Sequence, residues 1–207
     1  MSSAAESSAT ASRAAGRARS TTPSQLSHVA LELFFEHGFA ATTIDDIAAA
    51  AGIGRRTLFR YFPSKNDLPW GDFDALLDTM RATLAAAPRS TPAAQAVRDA
   101  VLDFNRVPEE ELPYHRARMR LLLGEPALVA HSTLRYQAWR EVIAEFAATR
   151  LGVPTDSLLP RAMSRICLAL SISAYEEWLA RDDARLDGLL SEAFELLGGL
   201  FADDAPD

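Results

Sequence analysis

The sequence predicts an all-α protein, a three-helix N-terminal unit followed by a larger helical domain, with about nine helices in all. Three observations carry this. Ala and Leu together number 65 of 207 residues, whereas Val and Ile number 13, a balance that favours helices and leaves little to build strands. Apolar residues recur at helical spacing along most of the chain. Gly and Pro fall between those stretches, where helices start and stop. The 48% hydrophobic and 24% charged fractions are those of a globular protein. The longest uncharged apolar run, Ile166 to Tyr175, is closed by Arg165 and Glu176 and is about half of the ~18–20 residues a membrane span needs. No membrane association is expected. The lone Cys167 excludes an internal disulfide and a cysteine zinc cluster, and fits a reducing cytoplasm.

Residues 1–22 are mostly Ala, Ser and Thr, with Arg13, Arg17 and Arg19 as the basic side chains. After Met1 the stretch has no large apolar residue, so it cannot bury enough surface to fold. It lacks the apolar core of a secretory signal and the apolar face of a transit peptide. A solvated tail and a basic arm on nucleic-acid phosphates both stay open. The net charge of −7 argues against a surface that coats nucleic acid throughout. Residues 1–66 nevertheless carry 7 basic and 5 acidic groups, whereas residues 67–207 carry 14 and 23. Any nucleic-acid contact is therefore expected in the first third.

The first helix starts near Ser24, where Leu26, Val29, Ala30, Leu33 and Phe34 form one apolar stripe. Gly38 suits its C-cap, and Phe39 is placed to fold back on it. Thr43 with Asp46 three residues on approximates a capping box for a second helix, with Ile44, Ile47, Ala48 and Ala51 on its buried face. Gly52-Ile53-Gly54 makes a tight turn into a third helix that ends at Pro63. Leu58 and Phe62 form its inner stripe. Arg55, Arg56, Thr57, Phe59, Arg60 and Tyr61 are left outside, with no carboxylate among them. This is the outline of a helix-turn-helix unit over residues 23–66, whose second helix enters the major groove. Arg suits guanine O6 and N7, Thr the thymine methyl, and Tyr a phosphate. A helical hairpin with a basic patch is the plainer reading of the same pattern.

The segment from Phe34 to Lys65 closely resembles the DNA-binding domain of TetR-family regulators. The match lies in Gly38-Phe39, Ala41-Thr42-Thr43-Ile44-Asp45-Asp46-Ile47-Ala48, Ala51-Gly52-Ile53 and Thr57-Leu58-Phe59-Arg60-Tyr61-Phe62-Pro63-Ser64-Lys65. The resemblance implies that Thr42, Thr43, Arg55, Arg56, Thr57, Phe59, Arg60, Tyr61 and Lys65 contact double-stranded operator DNA. Thr43 would hold a phosphate at a helix N-terminus, Arg55, Arg56 and Thr57 would read bases, and Tyr61 would take a phosphate. Lys65 would open a fourth helix against the backbone, with Ser64 and Asp67 as its cap. Phe59 departs from the family's usual tyrosine and keeps only the ring. Gly54-Arg55-Arg56-Thr57, Pro69-Trp70-Gly71-Asp72-Phe73-Asp74, His115-Arg116 and His131-Ser132-Thr133 further resemble regulators associated with mycofactocin gene clusters.

Residues 67–207 read as further helices: Asp67 to Ala87, Thr91 to Val107, a short one around Tyr114 to Leu123, Pro126 to Leu151, Leu158 to Leu179 and Leu186 to Phe201. In length and helix order they are similar to the family's ligand-binding and dimerisation domain. The last two helices, residues 158–201, are expected to pair with a second copy, because Leu186, Leu189, Leu190, Ala193, Phe194, Leu197 and Leu200 make a long apolar stripe. Arg106, His115, Arg116, Arg118 and Arg120 read either as a solvated face paired to Glu109, Glu110 and Glu111, or as a basic rim at a cavity mouth. On the second reading the effector is a small apolar or acyl-CoA-like ligand, the obvious case being a long-chain acyl-CoA with its phosphate-bearing head on Arg116 and Arg120 and its chain among Phe73, Leu77, Phe104, Met119, Trp139 and Phe146.

No catalytic constellation is present in the sequence. There is no phosphate loop and no zinc signature, the histidines are scattered, and Cys167 sits among leucines. The expectation is a cytoplasmic, homodimeric, ligand-released transcriptional repressor with no enzymatic activity, cofactor or metal. A helical ligand-binding or scaffold protein without an operator is the alternative.

Overall fold

Thr22 opens the first helix with a reciprocal cap. Its Oγ1 accepts from the Gln25 amide at 3.2 Å, and Gln25 Oε1 accepts from the Thr22 amide at 3.1 Å. The computed structural model describes residues 22–199, so the expected N-terminal tail lies outside the described residues. Helix α1, Pro23–His37, buries Leu26, Ala30, Leu31 and Phe34. It ends at Gly38, whose φ of 85° only glycine adopts without strain. The Phe39 ring then returns to 4.9 Å from Phe34. The Thr43–Asp46 box forms and opens α2, Ile44–Ala50. Gly52 turns the chain at φ 67° into α3, Arg55–Tyr61, which buries Leu58 while Phe62 closes it.

The expected single helix from residue 67 to 87 is broken. Lys65–Trp70 is a 3-10 turn capped by Ser64 and Asp67, Gly71 takes φ 60°, and α4 spans Phe73–Ala86. Pro69 accounts for the break, since it supplies no amide hydrogen and its ring opposes an α-helical path. Then follow α5 (Ala93–Phe104), a 3-10 turn at Glu109–Glu111, α6 (Leu112–Gly124), α7 (Pro126–Leu151), α8 (Leu158–Ala180) and α9 (Leu186–Gly199). The described residues thus contain nine α-helices and no strand. None of these helices is long and apolar enough to cross a membrane.

One hydrophobic cluster runs without a gap from Leu26, Ile47 and Leu58 through Trp70, Phe73 and Val101 to Trp139, Ile143 and Cys167. The helix-turn-helix therefore shares apolar packing with the larger helical body. A second cluster joins Ala174, Tyr175 and Trp178 of α8 to Leu186 and Leu190 of α9. This changes the reading of the last helix. Leu186 and Leu190 are covered by the chain's own α8, and Phe194 packs against the main cluster. Leu196 is the exposed large apolar side chain of α9, and Leu158, Leu159 and Ile166 are those of α8. Leu200 lies outside the described residues.

Candidate nucleic-acid interface and ligand cavity

Helix α3 presents Arg55, Arg56, Phe59 and Arg60 as exposed side chains, with Thr57 and Tyr61 half-buried beside them. Arg55 is held in place. Its Nη1 donates to both carboxylate oxygens of Asp45 on α2, at 3.4 and 3.2 Å, and its guanidinium lies over the Phe59 ring at 5.5 Å. Arg60 stacks on the neighbouring Tyr61 ring at 5.1 Å. The ring that lacks the family's hydroxyl thus supports an arginine.

Besides Arg55, Arg60 and Tyr61, three more of the nine candidate DNA-contact residues, Thr42, Thr43 and Lys65, have polar atoms bonded within the chain, and these three bond into the turns around α3. Thr42 is 2% exposed and its Oγ1 donates to the carbonyls of Gly38 and Leu33. Lys65 Nζ donates to the carbonyls of Phe39 at 2.6 Å and Thr42 at 2.9 Å, and lies 4.3 Å from the Phe39 ring centre. Burial pulls its ammonium below the usual lysine range, against a smaller opposite effect from Glu125. Thr43 gives its hydroxyl and amide hydrogens to Asp46. These groups fix the turns that aim α3.

Sequence reasoning missed the connection between this unit and the body. Asp67 is buried and accepts from the Ser64 amide at 3.0 Å, the Ser64 hydroxyl at 2.7 Å, Arg135 Nη2 at 2.7 Å and His131 Nε2 at 2.8 Å. Burial raises its pKa, but the hydrogen bonds from Ser64, Arg135 and His131 outweigh this and hold the carboxyl below its ordinary range. His131 and Arg135 belong to α7, so one carboxylate ties the end of the helix-turn-helix to the middle of the body.

Between α1 and helices α4 to α8 lies a cavity of about 450 Å³. Phe73, Phe104, His115, Met119 and Trp139 of the expected set line it, together with Trp70, Tyr114, Arg118, Leu122, Tyr136 and Tyr175. Ser24 and His28 bring α1 to its wall. Tyr114 fastens that wall, donating to the His28 carbonyl at 2.6 Å with its ring stacked on His28 at 4.0 Å. Leu77, Arg116, Arg120 and Phe146 do not line the cavity. Leu77 is core, and Phe146 lies under Arg150. Arg116 stacks on Trp178 at 4.4 Å and donates to the Arg181 carbonyl at 3.1 Å, and both it and Arg120 face Asp182. These two arginines clamp the α8–α9 connection. The physical reason is helical phase: Tyr114, His115, Arg118, Met119 and Leu122 share one face of α6, and positions 116 and 120 turn away from it.

The polar side of the cavity is a short relay. Asn105 Nδ2 donates to the Val101 carbonyl at 2.8 Å, which aims Oδ1 at the Tyr175 hydroxyl, 2.9 Å away. With that hydroxyl hydrogen committed, His115 Nε2, 2.9 Å from the same oxygen, carries a proton and donates. Burial, and secondarily Arg118, push the His115 pKa down to about 4, so the ring is neutral near pH 7.

A helix-turn-helix with a carboxylate-free outer face, set on a helical body with an apolar cavity, is matched by two family models. Residues 26–68 match that of bacterial regulatory proteins of the tetR family, and residues 91–202 match the MftR C-terminal domain. The chain belongs to the TetR family. It is 46% identical over 183 residues to the mycofactocin biosynthesis transcriptional regulator MftR assigned in Mycobacterium tuberculosis, covering 88% of this chain and 92% of that one. Among solved structures, it is similar to FadR of Bacillus subtilis in complex with stearoyl-CoA, with a TM-score of 0.58 and 16% identity over 84% of this chain and 96% of that one. Thermus thermophilus FadR in complex with lauroyl-CoA gives a TM-score of 0.54 and 24% identity over 89% and 98% of the two chains. This TetR-family chain is a transcriptional regulator.

Proposed function

We propose that this TetR-family protein binds a palindromic operator as a homodimer through residues 158–201, represses from it in the cytoplasm at the nucleoid, and lets go when a small apolar or acyl-CoA-like effector enters the cavity. The observation that carries the reading is the α3 surface, where three arginines stand exposed and one is braced by Asp45 and Phe59. A preset guanidinium spends less conformational freedom on reaching a base. Arg55→Ala and Arg56→Ala are each expected to weaken specific operator binding by about 1–3 kcal/mol. Tyr61→Phe is expected to weaken specific and non-specific binding alike, because phosphate contacts carry no sequence information. Gel-shift titrations at two salt concentrations check both. Affinity indifferent to salt and to these changes would leave a helical binding protein without an operator.

The cavity supports an effector with an apolar chain, and long-chain acyl-CoA is the first compound to try. Its volume of about 450 Å³ and its aromatic lining suit a long apolar chain. The chain would press on the wall that α1 shares, changing how far apart two copies of α3 stand. By linkage, the effector weakens operator binding by the factor by which operator weakens effector binding. Calorimetry with and without operator measures that factor, and equal affinity in the two states means the compound is no inducer.

A further inference from the structure

Four buried side-chain polar atoms among the described residues have no hydrogen-bond partner: Ser27 Oγ, Trp70 Nε1, Arg98 Nε and Arg118 Nε. Two of them, Trp70 Nε1 and Arg118 Nε, are donors on residues that line the cavity of about 450 Å³. Trp70 is 8% exposed. Arg118 forms no salt bridge among the described residues, unlike Arg116, Arg120 and Arg135 around it. Glu111, the acidic residue at the rim, acts on it only at a distance, and burial lowers the pKa of its guanidinium. Buried donors without acceptors are costly, and Arg118 Nε is one on a half-buried guanidinium that has no counter-charge beside it. Beside a cavity such groups find their acceptors in what enters it, water or a ligand. Several other polar groups that line the cavity are already committed: Tyr114 to the His28 carbonyl, Ser171 to the Cys167 carbonyl, and His115, Tyr175 and Asn105 to one another.

We propose that Arg118, with Trp70, receives the acyl head of the effector inside the cavity: a carbonyl carbon bearing acceptor oxygens at the end of an apolar chain. This rests on the reading of the cavity as the effector site and adds which end of the ligand lies inside and what holds it. The chemistry is shared by a free carboxylate and by a thioester. Both put an acceptor oxygen where two N–H donors lack one, and the carboxylate also brings the charge. The aromatic walls formed by Trp70, Phe73, Phe104 and Trp139, stepped edge to face at 5.0 to 6.2 Å, then take the chain.

The test uses three probes of one chain length, dodecanoic acid, dodecanoyl-CoA and dodecanol, titrated calorimetrically into the full chain and into the Arg118→Gln, Arg118→Lys and Trp70→Phe variants. The acid or the thioester is expected to bind wild type at least tenfold tighter than the alcohol, the size of a charge-assisted hydrogen bond. Arg118→Gln should abolish that advantage, Arg118→Lys should restore part of it for the acid, and Trp70→Phe should cost a few-fold. The acid binding tighter than the thioester identifies a free carboxylate as the source, and the reverse order identifies the thioester. Arg118→Gln should change the melting temperature of the unliganded protein little, since Arg118 has no counter-charge beside it and gives up only the Tyr114 ring, 5.7 Å from its guanidinium. Equal binding of acid, thioester and alcohol, or an acyl advantage that survives Arg118→Gln, overturns the assignment while leaving the cavity as effector site. If no probe binds wild type, the acyl reading of the effector itself fails, and this proposal with it.

Discussion

Asp67→Ala is expected to lower stability by about 3–5 kcal/mol, the cost of breaking a buried ion pair by removing one partner. Four donors converge on that carboxylate, and two of them, on His131 and Arg135, come from the body. Without it the one ion pair left to Arg135 among the described residues is its contact at 3.3 Å with the exposed Asp74. At about 2–4 °C per kcal/mol for a chain of this size, the melting temperature should fall by roughly 10 °C. The sign of the pH dependence follows from the depressed pKa of Asp67. Its stabilisation is fully present above the ordinary aspartate value of ~3.9 and is lost as pH falls through the lower folded value. The gap between wild type and variant should thus be constant near neutrality and close below about pH 4. Thermal melts across pH 3 to 7 measure it. A variant that melts with wild type at pH 7 would mean that the connection does not hold the helix-turn-helix to α7. A second consequence is functional. With Ser64 released, the effector should lose part of its hold on operator binding, because the 3-10 turn after α3 would no longer follow α7.

The helices were legible because their signals are local. Thr43 with Asp46, Ser64 with Asp67, and Gly38 after Phe34 each act over three or four residues, and each forms as the spacing implies. The break at Pro69 was legible in principle, but the helical stripe on either side of it masked the proline. The connection at Asp67 was not, since its partners lie 64 and 68 residues away and nothing in the local pattern pairs them. The arginines of α6 show how spacing misleads. Arg116 and Arg120 share a face, which suggested a joint anion site, yet the apolar neighbours Tyr114, Met119 and Leu122 decide which face turns inward, and they carry Arg118 with them. Thr42 and Lys65 illustrate a different limit. A polar residue beside a DNA-reading helix can serve the nucleic acid or the turn that aims the helix, and only the carbonyls at Gly38, Phe39 and Thr42 tell the two apart.

Ile166→Glu combined with Leu196→Glu is expected to turn the dimer into a folded monomer. The buried stripe of α8 runs through Pro160, Ser164, Cys167, Ser171, Ala174 and Trp178 toward the chain's own core. On the opposite side Leu158, Leu159 and Ile166 stay exposed, with Ala169 and Ser173 continuing the stripe as small residues that let another helix approach closely. Leu196 of α9 is 58% exposed. A two-fold contact between copies uses one patch twice, so each substitution enters the interface twice. A charge buried there without a partner costs about 3–5 kcal/mol, and four such charges exceed what an interface of ordinary size withstands. Both positions face away from the protomer's core, so helical content and melting should change little. Operator binding should collapse all the same, because two copies of α3 must be held about 34–36 Å apart to enter successive major grooves. Light scattering at micromolar concentration, circular dichroism and a gel shift separate the three effects. A wild type that is itself monomeric would remove this interface. A double variant that stays dimeric would move the contact away from α8 and α9, and with it the account of how an effector resets the spacing of the reading helices.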